Sequence, residues 1–151
     1  MLLISHRGNI NGRNPDMENN PVYIQEAIKH GFDVEVDVWI SEDGEFYLGH
    51  DSPTYHVDTE WLKNESLWCH AKNIKALRTM LRENIHCFWH QEDDVVLTSM
   101  GYIWTYPNKE ATDASICVLL NKNDKIPKNS FGICSDYVII YKEQLQRIIY
   151  E

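Results

Sequence analysis

Carboxylates and a histidine are concentrated in the stretch of the chain from residue 31 to residue 51. Glu35 and Asp37 lie two residues apart in a run rich in Val and Ile, so an extended chain would project both side chains from one face. Two like charges side by side are costly unless a cation lies between them. After a tight-turn signal, the chain reaches His50. A carboxylate pair, a turn and a histidine are typical of one side of a metal-assisted active site.

Other polar residues follow further predicted strands in the same way. In a barrel of parallel strands, the residues that carry the chemistry collect at the carboxyl ends of the strands. Six such positions in one chain are hard to assign to packing alone. They are His6-Arg7, Glu35/Asp37, His70/Lys72, His90/Glu92, Trp104/Tyr106 and Asp136.

These residues are positioned by an alternation of predicted strands and helices. Runs rich in Val, Ile and aromatic residues predict strands at residues 2–5, 32–40, 67–72, 86–91, 102–106, 115–120 and 131–137, and after the turn at 43–44 the chain returns through residues 46–49. Capping signals and helical periodicity predict a helix that begins at Pro21 and stops at Gly31, and others at residues 59–64, 74–84 and 142–150. Residues 52–58 are predicted to be a loop. In the helix at 74–84, Ile74, Leu77 and Leu81 fall on one side.

The alternation in the first half of the chain favours a parallel α/β sheet. A complete eightfold barrel takes about 200–250 residues, whereas this chain has 151. We therefore expect one domain over residues 1–151, an α/β fold that is a reduced TIM-type (β/α) barrel with several outer helices shortened or missing. Short connections after residue 92 could leave apolar surface exposed, which a homodimer would cover.

The composition indicates which binding partners and which cellular compartment to expect. The net charge is −9, from 14 Lys and Arg against 23 Asp and Glu, which argues against nucleic acid or an anionic membrane as a steady partner. No apolar run approaches membrane length, and the start is too quickly polar for a signal peptide, so we expect the mature protein to begin at Met1. The four cysteines stand alone, without a CxxC pair, and are predicted to be buried free thiols in a cytoplasmic protein.

The order of these motifs resembles the glycerophosphodiester phosphodiesterase family, part of the phosphatidylinositol-phospholipase-C-like phosphodiesterase barrels. The resemblance covers residues 4–51 and is specific there, because six pieces occur in order at plausible spacing. It is weaker later, where residues 103–105 and 132–136 are similar to the last two strands of the family. The six pieces are His6-Arg7-Gly8, Glu18-Asn19-Asn20, Gly31-Phe32-Asp33, Glu35 with Asp37-Val38, Asp43-Gly44 and His50-Asp51.

The resemblance implies a metal-dependent phosphodiesterase that hydrolyses glycerophosphodiesters or related lipid headgroup diesters. It implies that His6 and His50 do the acid–base work, because imidazole changes charge near neutral pH. The sequence leaves open which of them is the acid. Attack by a neighbouring substrate hydroxyl, which gives a cyclic phosphate, and direct attack by water are both open as well.

Four further side chains are expected to contact or organise the substrate. Arg7 can grip the phosphate with its planar fork, and Lys72 can add a point charge. Trp104 has two alternatives, which are to form an apolar wall beside the substrate headgroup together with Tyr106, or to pack in the core as an ordinary aromatic residue. Glu18 has three alternatives, which are to reach the metal, to orient Arg7 or to cap the helix that follows it.

Glu35 and Asp37 are expected to bind a divalent metal ion, Mg²⁺ or Ca²⁺ above all, that would polarise a phosphoryl oxygen. The family usually carries another acidic ligand two residues before a lysine on its third strand, but here His70 occupies that position. Histidine favours transition metals, which adds Mn²⁺ and Zn²⁺ to the expected ions. Either His70 is the third ligand, or that ligand comes from elsewhere, with Glu92 the nearest alternative.

Two other functions compete with the phosphodiesterase. The first is a barrel that binds a phosphate ester without turnover, although a pure binder has no need of two proton-transferring histidines. The second is a different metal hydrolase, which would predict a His-x-His pair on the first strand, where this chain has His6-Arg7-Gly8.

Overall fold

The structure is a computed structural model that describes residues 1–150. Within that range the chain forms ten strands and four helices. In chain order they are β1 (Leu2–His6), α1 (Pro21–Lys29), β2 (Asp33–Ile40), β3 (Phe46–Leu48), β4 (Tyr55–Val57), α2 (Thr59–Leu62), β5 (Leu67–Ala71), α3 (Ile74–Arg82), β6 (Cys87–Phe88), β7 (Val95–Leu97), β8 (Ile103–Thr105), β9 (Ser115–Leu119), β10 (Gly132–Ser135) and α4 (Val138–Tyr150).

The strands form one sheet that is mostly parallel. Its parallel part has the order β6-β5-β2-β1-β10-β9-β8, while β3, β4 and β7 pair in antiparallel fashion at its sides. The register sets His6 beside Glu35 and sets Asp37 beside His70. Because parallel strands bring their carboxyl ends to the same edge, this pairing gathers the polar residues that follow β1, β2 and β5.

The sheet curves until its two ends approach each other. Phe88 in β6 stacks on Trp104 in β8 with ring centroids 4.7 Å apart, and the Ser99 amide donates to the Cys87 carbonyl at 2.8 Å. Within residues 1–150, however, β6 and β8 are not paired as neighbouring strands. The α/β class and the parallel sheet are therefore confirmed, while closure into a barrel stays a prediction.

Helix α1 follows the capping signals of the sequence. The Asn20 side chain accepts a hydrogen bond from the Val22 amide, and Pro21 occupies the first turn, where its missing N–H costs nothing. Ile24 and Ala27 are the residues that α1 buries. The helix has ended before Gly31, whose φ of 85° suits glycine.

Helix α3 packs with a different face from the apolar stripe that its sequence suggests. Ala76 and Met80 are fully buried, whereas Ile74 and Leu81 are 68% and 48% exposed. Asn73 explains the orientation, because its side chain caps the helix at the Ala76 amide and also bonds both backbone groups of Ile40 in β2. The cap therefore ties the first turn of α3 to the sheet.

The second half of the sheet carries fewer covering elements than the first. Within the described residues, no helix lies between β6 and β10, as expected for a chain with outer helices missing. Strands β4 and β7 are additions that the sequence analysis missed, and the predicted loop at 52–58 is wrong because Tyr55–Val57 pairs with β3. The predicted strand at 86–91 shortens to Cys87–Phe88.

The four cysteines are free and buried, as predicted. None of the helices in residues 1–150 combines the length and the apolar character needed to cross a membrane. Large apolar side chains that remain exposed include Leu97, Leu120 and Phe131. The homodimer that would cover such surface stays a prediction.

Adjacent residues in α3 test which face of the helix packs. Met80→Ala should lower the free energy of unfolding by about 2–5 kcal/mol, because it leaves a cavity in the core. Leu81→Ala should cost less than about 1 kcal/mol, because that side chain is half in water. Urea denaturation of both variants measures the difference, and a larger loss for Leu81→Ala would contradict the described packing.

His86 makes stability depend on pH in a defined window. Burial lowers the pKa of His86 to about 4, and its Nε2 bonds the Thr98 hydroxyl at 2.8 Å. The unfolded chain takes up this proton near pH 6.5, so the free energy of unfolding should fall by roughly 1–2 kcal/mol from this group as the pH drops from about 6.5 to 4. His86→Gln should remove that part of the fall in denaturation curves taken at several pH values. Identical pH dependence in both proteins would contradict it.

Candidate active site

A cavity of about 490 Å³ opens at the carboxyl edge of the parallel strands. Most of its lining residues lie in or directly after the parallel strands β1, β2, β5, β6, β8, β9 and β10. Most of the site residues expected from the sequence line it. These are His6, Arg7, Glu35, His50, His70, Lys72 and Trp104.

Three potential metal ligands meet beneath this cavity. Glu35 and Asp37 project from the same face of β2, and the β2–β5 register sets His70 beside Asp37. One ligand atom from each residue lies within 4.8 Å of those of the other two. Both carboxylates are buried, with Glu35 3% and Asp37 0% exposed.

Two oxygens of this group lack partners. Asp37 Oδ2 accepts from the Asn19 side-chain amide at 2.9 Å and lies 2.9 Å from Arg7 Nε. By contrast, Asp37 Oδ1 and Glu35 Oε2 are buried without a hydrogen-bond partner. Buried carboxylate oxygens are rarely left unsatisfied, and oxygen and imidazole are normal ligands of divalent ions. The residues therefore fit a divalent cation.

The two carboxylates differ in their ionisation. Burial raises the pKa of Glu35, and the nearby charge of Asp37 raises it further. Burial acts on Asp37 in the same direction, but the positive charge of Arg7, whose Nε lies 2.9 Å from Oδ2, opposes it, and the net pKa of Asp37 lies well below its usual range. Asp37 is therefore the permanent negative charge of the pair.

Arg7 is held in place by its backbone as much as by its side chain. Its φ of 56° turns the chain directly after β1, its amide bonds the Glu35 carbonyl, and its carbonyl accepts from the Asn19 amide. A non-glycine residue in this region is strained, which is common at functional sites. Glu18 lies 3.4 Å from the guanidinium, so of its three alternatives the structure places it against Arg7. The cap of α1 is Asn20 instead.

His6 is oriented by a carboxylate from the last strand region. Its Nδ1 lies 2.8 Å from Asp136 Oδ1, while its Nε2 lies 3.7 Å from Glu35 Oε2. Burial lowers the pKa of His6, but the hydrogen bond to Asp136 and the charge of Glu35 outweigh that effect, and the net pKa is raised. Nδ1 therefore carries the proton that faces Asp136, and Nε2 is the nitrogen directed towards the metal ligands.

His50 stands at the rim, with its side chain 45% exposed. Arg7 donates to its Nδ1 at 2.6 Å, and since arginine can only donate, Nδ1 is the acceptor and Nε2 carries the proton. The backbone before it is fixed at Gly49, whose φ is 154° and whose carbonyl accepts from the Trp39 indole at 2.6 Å. A Cβ at Gly49 would collide with the Ser52 carbonyl oxygen, so only glycine fits there.

The remaining expected residues lie in or near the cavity with different contacts. Lys72 Nζ is 3.9 Å from Asp37 Oδ1, so it adds positive charge beside the ligands. Trp104 borders the cavity but is only 3% exposed, because it packs against Phe88 and Trp68. Glu92 is exposed and outside the ligand group, which leaves His70 as the third member.

Asparagine side chains that sequence reasoning did not assign hold the site together. Asn19 bonds Asp37 twice, through its amide to Oδ2 and through its carbonyl oxygen to the Asp37 amide, each at 2.9 Å. Asn9 is fully buried and donates to both Glu18 and Asp136. Asn19 is adjacent to Glu18 in a motif already noted, but its left-handed φ of 64° is a tertiary feature that the sequence does not display.

Comparison of the chain with family models, curated proteins and solved structures finds no match. The family resemblance therefore stays a prediction carried by the motifs at residues 4–51. The geometry adds that four residues of these motifs, His6, Arg7, Glu35 and His50, line one cavity.

Substitutions at Asn19 and Asn20 distinguish two roles, which are the support of the candidate metal ligands by Asn19 and the capping of α1 by Asn20. Asn19→Gly keeps the left-handed backbone but removes both bonds to Asp37, so affinity for Mn²⁺ should fall by about 10–100-fold in a calorimetric titration. Asn20→Gly is the control, since it removes the cap of α1 at a cost of only a few tenths of a kcal/mol. Equal Mn²⁺ affinities in the wild type and Asn19→Gly would contradict the role of Asn19.

Proposed function

We propose that this protein is a metal-dependent phosphodiesterase that hydrolyses glycerophosphodiesters or related lipid headgroup diesters. The observation that carries the proposal is the meeting of two kinds of group in one cavity. The buried set Glu35, Asp37 and His70 can hold a cation, and the histidines His6 and His50 border the same space. Phosphodiester cleavage needs charge neutralisation and proton transfer together.

Charge neutralisation begins with the residues at the cavity floor. A divalent ion bound by Glu35, Asp37 and His70 would neutralise the non-bridging phosphate oxygens. Arg7 and Lys72 add two positive charges near the same carboxylates. Arg7 already meets Asp37 and Glu18, so its remaining contact, with His50, is the one that an incoming phosphate would replace.

Proton transfer is assigned to the two histidines. The Asp136 carboxylate stabilises the charged form of His6 and directs its Nε2 into the cavity. This arrangement resembles the carboxylate–histidine pairs that orient a general acid or base. When Arg7 turns to the phosphate, Nδ1 of His50 loses its hydrogen-bond donor. One histidine removes the proton from the attacking oxygen, and the other protonates the leaving oxygen.

The proposal includes a reduced TIM-type barrel as the fold that supports this site. The contact between Phe88 and Trp104 supports it, because it joins the two ends of the parallel sheet through side chains. The cavity at the carboxyl edge supports it too, since barrel enzymes keep their sites there.

The test is hydrolysis of a panel of glycerophosphodiesters with and without a chelator. Activity should require the divalent ion, and Glu35→Gln should abolish it, whereas the surface control Glu45→Gln should retain it. His6→Gln should lower kcat by about 10²–10⁴-fold. His56→Gln is its control, because that exposed ring contacts Glu45 and Tyr47 in the β3–β4 region and does not line the cavity. Phosphorus NMR of the products distinguishes a cyclic phosphate from direct hydrolysis.

Two results would count against the proposal. Full activity in Glu35→Gln would contradict the metal assignment. Saturable binding of the diesters with no turnover under any metal would favour the alternative, a barrel that binds phosphate esters without cleaving them.

A further inference from the structure

We infer that the metal site is built for a transition-metal ion such as Mn²⁺ or Zn²⁺, bound in part through the Nδ1 nitrogen of His70, in preference to Mg²⁺ or Ca²⁺. The inference rests on the same site as the proposed function and specifies its metal. Two unpartnered oxygens on buried side chains, Glu35 Oε2 and Asp37 Oδ1, indicate that a cation belongs there, since the side chains are only 4% and 0% exposed.

The number of free oxygen donors is too small for Ca²⁺. Ca²⁺ takes 6–8 oxygen ligands, whereas Mg²⁺ keeps several waters and needs only one or two carboxylates. The number of oxygen donors therefore argues against Ca²⁺, and the nitrogen donor of His70 is the argument against Mg²⁺. Asp37 offers one oxygen only, because Oδ2 is engaged by Asn19 and Arg7. Glu35 is the only other carboxylate in the ligand group found among the described residues.

Other carboxylates near the cavity are already occupied. Asp136 Oδ1 is shared by His6 and Asn9 at 2.8 Å each. Glu18 accepts from Asn9 and pairs with Arg7. An oxygen-rich shell would therefore require breaking the contacts that orient His6 and Arg7.

The His70 ring is set for metal binding through Nδ1. Its Nε2 lies 3.2 Å from the His90 carbonyl oxygen, and because a carbonyl only accepts, Nε2 carries the proton. Nδ1 is then left with its lone pair, 3.3 Å from Asp37 Oδ1 and 3.8 Å from Glu35 Oε1. A backbone carbonyl that fixes the opposite nitrogen is the usual support of a metal-binding histidine.

The ring is also locked against rotation. It stacks on Phe88 with centroids 5.2 Å apart and an interplanar angle of 8°, and its side chain is only 15% exposed. Two carboxylates and one imidazole leave open positions for water or substrate, which is the ligand arrangement of catalytic sites for zinc and related ions.

The experiment measures the bound nitrogen directly. Full-length protein loaded with Mn²⁺ should give electron spin-echo modulation from a coordinated nitrogen, and His70→Asp should lose it. In metal titrations, His70→Asp should lower the ratio of Zn²⁺ to Mg²⁺ affinity by about 10-fold or more, because it replaces the nitrogen donor with an oxygen donor. His86→Gln is the control, since His86 lies in the aromatic cluster with Trp68 and Tyr102 and should leave both readouts unchanged.

The outcomes separate this inference from the proposed function. No nitrogen modulation in the wild type, or an unchanged Zn²⁺ to Mg²⁺ ratio in a folded His70→Asp, would overturn the inference. The wild-type spectrum needs no variant, so a His70→Asp protein that fails to fold does not block the test. If nitrogen is coordinated but no diester is hydrolysed, the inference about the metal holds and the phosphodiesterase proposal is wrong. If diesters are hydrolysed with Ca²⁺ and no nitrogen is coordinated, the phosphodiesterase proposal holds and the inference about the metal is wrong.

Discussion

Two buried carboxylates on one strand, Glu35 and Asp37, are the constraint around which the molecule is arranged. Removing an ionised carboxylate from water costs several kcal/mol, and a second one beside it adds repulsion. The surrounding groups offset this cost with Arg7 and Lys72 as charges and with Asn19 as a hydrogen-bond donor. Two oxygens remain unsatisfied, and they lie in the group of side chains that could hold a cation.

The two buried carboxylates also explain why the loop after β1 contains buried polar side chains. The segment between β1 and α1 contains two asparagines, Asn9 and Asn19, that are almost fully buried. Each has an amide donor and a carbonyl acceptor, so each can satisfy a carboxylate and a backbone or hydroxyl group at once. Asn9 accepts from Tyr23 while it donates to Glu18 and Asp136, which joins the first loop to the last strand region.

Much of the site was readable from the sequence because its residues follow strands. Glu35 and Asp37 were predicted from their spacing of two residues in a strand. His6 and His70 were predicted from their places at strand ends. What was missed depends on tertiary geometry, as with the hydrogen bonds of Asn19 or the burial of Met80 in place of Leu81. Helix α3 shows the reason, because its rotation is set by the Asn73 link to Ile40 and not by the apolar stripe. Strands β4 and β7 are three residues each, too short for their pairing partners to be inferred.

The pairing of β1 with β10 brings residues from opposite ends of the chain into direct contact. The histidine at position 6 consequently receives its carboxylate partner only from position 136. During synthesis on the ribosome, the side chains of Glu35, Asp37 and His70 are available well before Asp136, the partner of His6, has been added. Long-range contacts of this kind form slowly compared with local helices, so the contact that orients His6 is expected to form after the group of Glu35, Asp37 and His70 has come together.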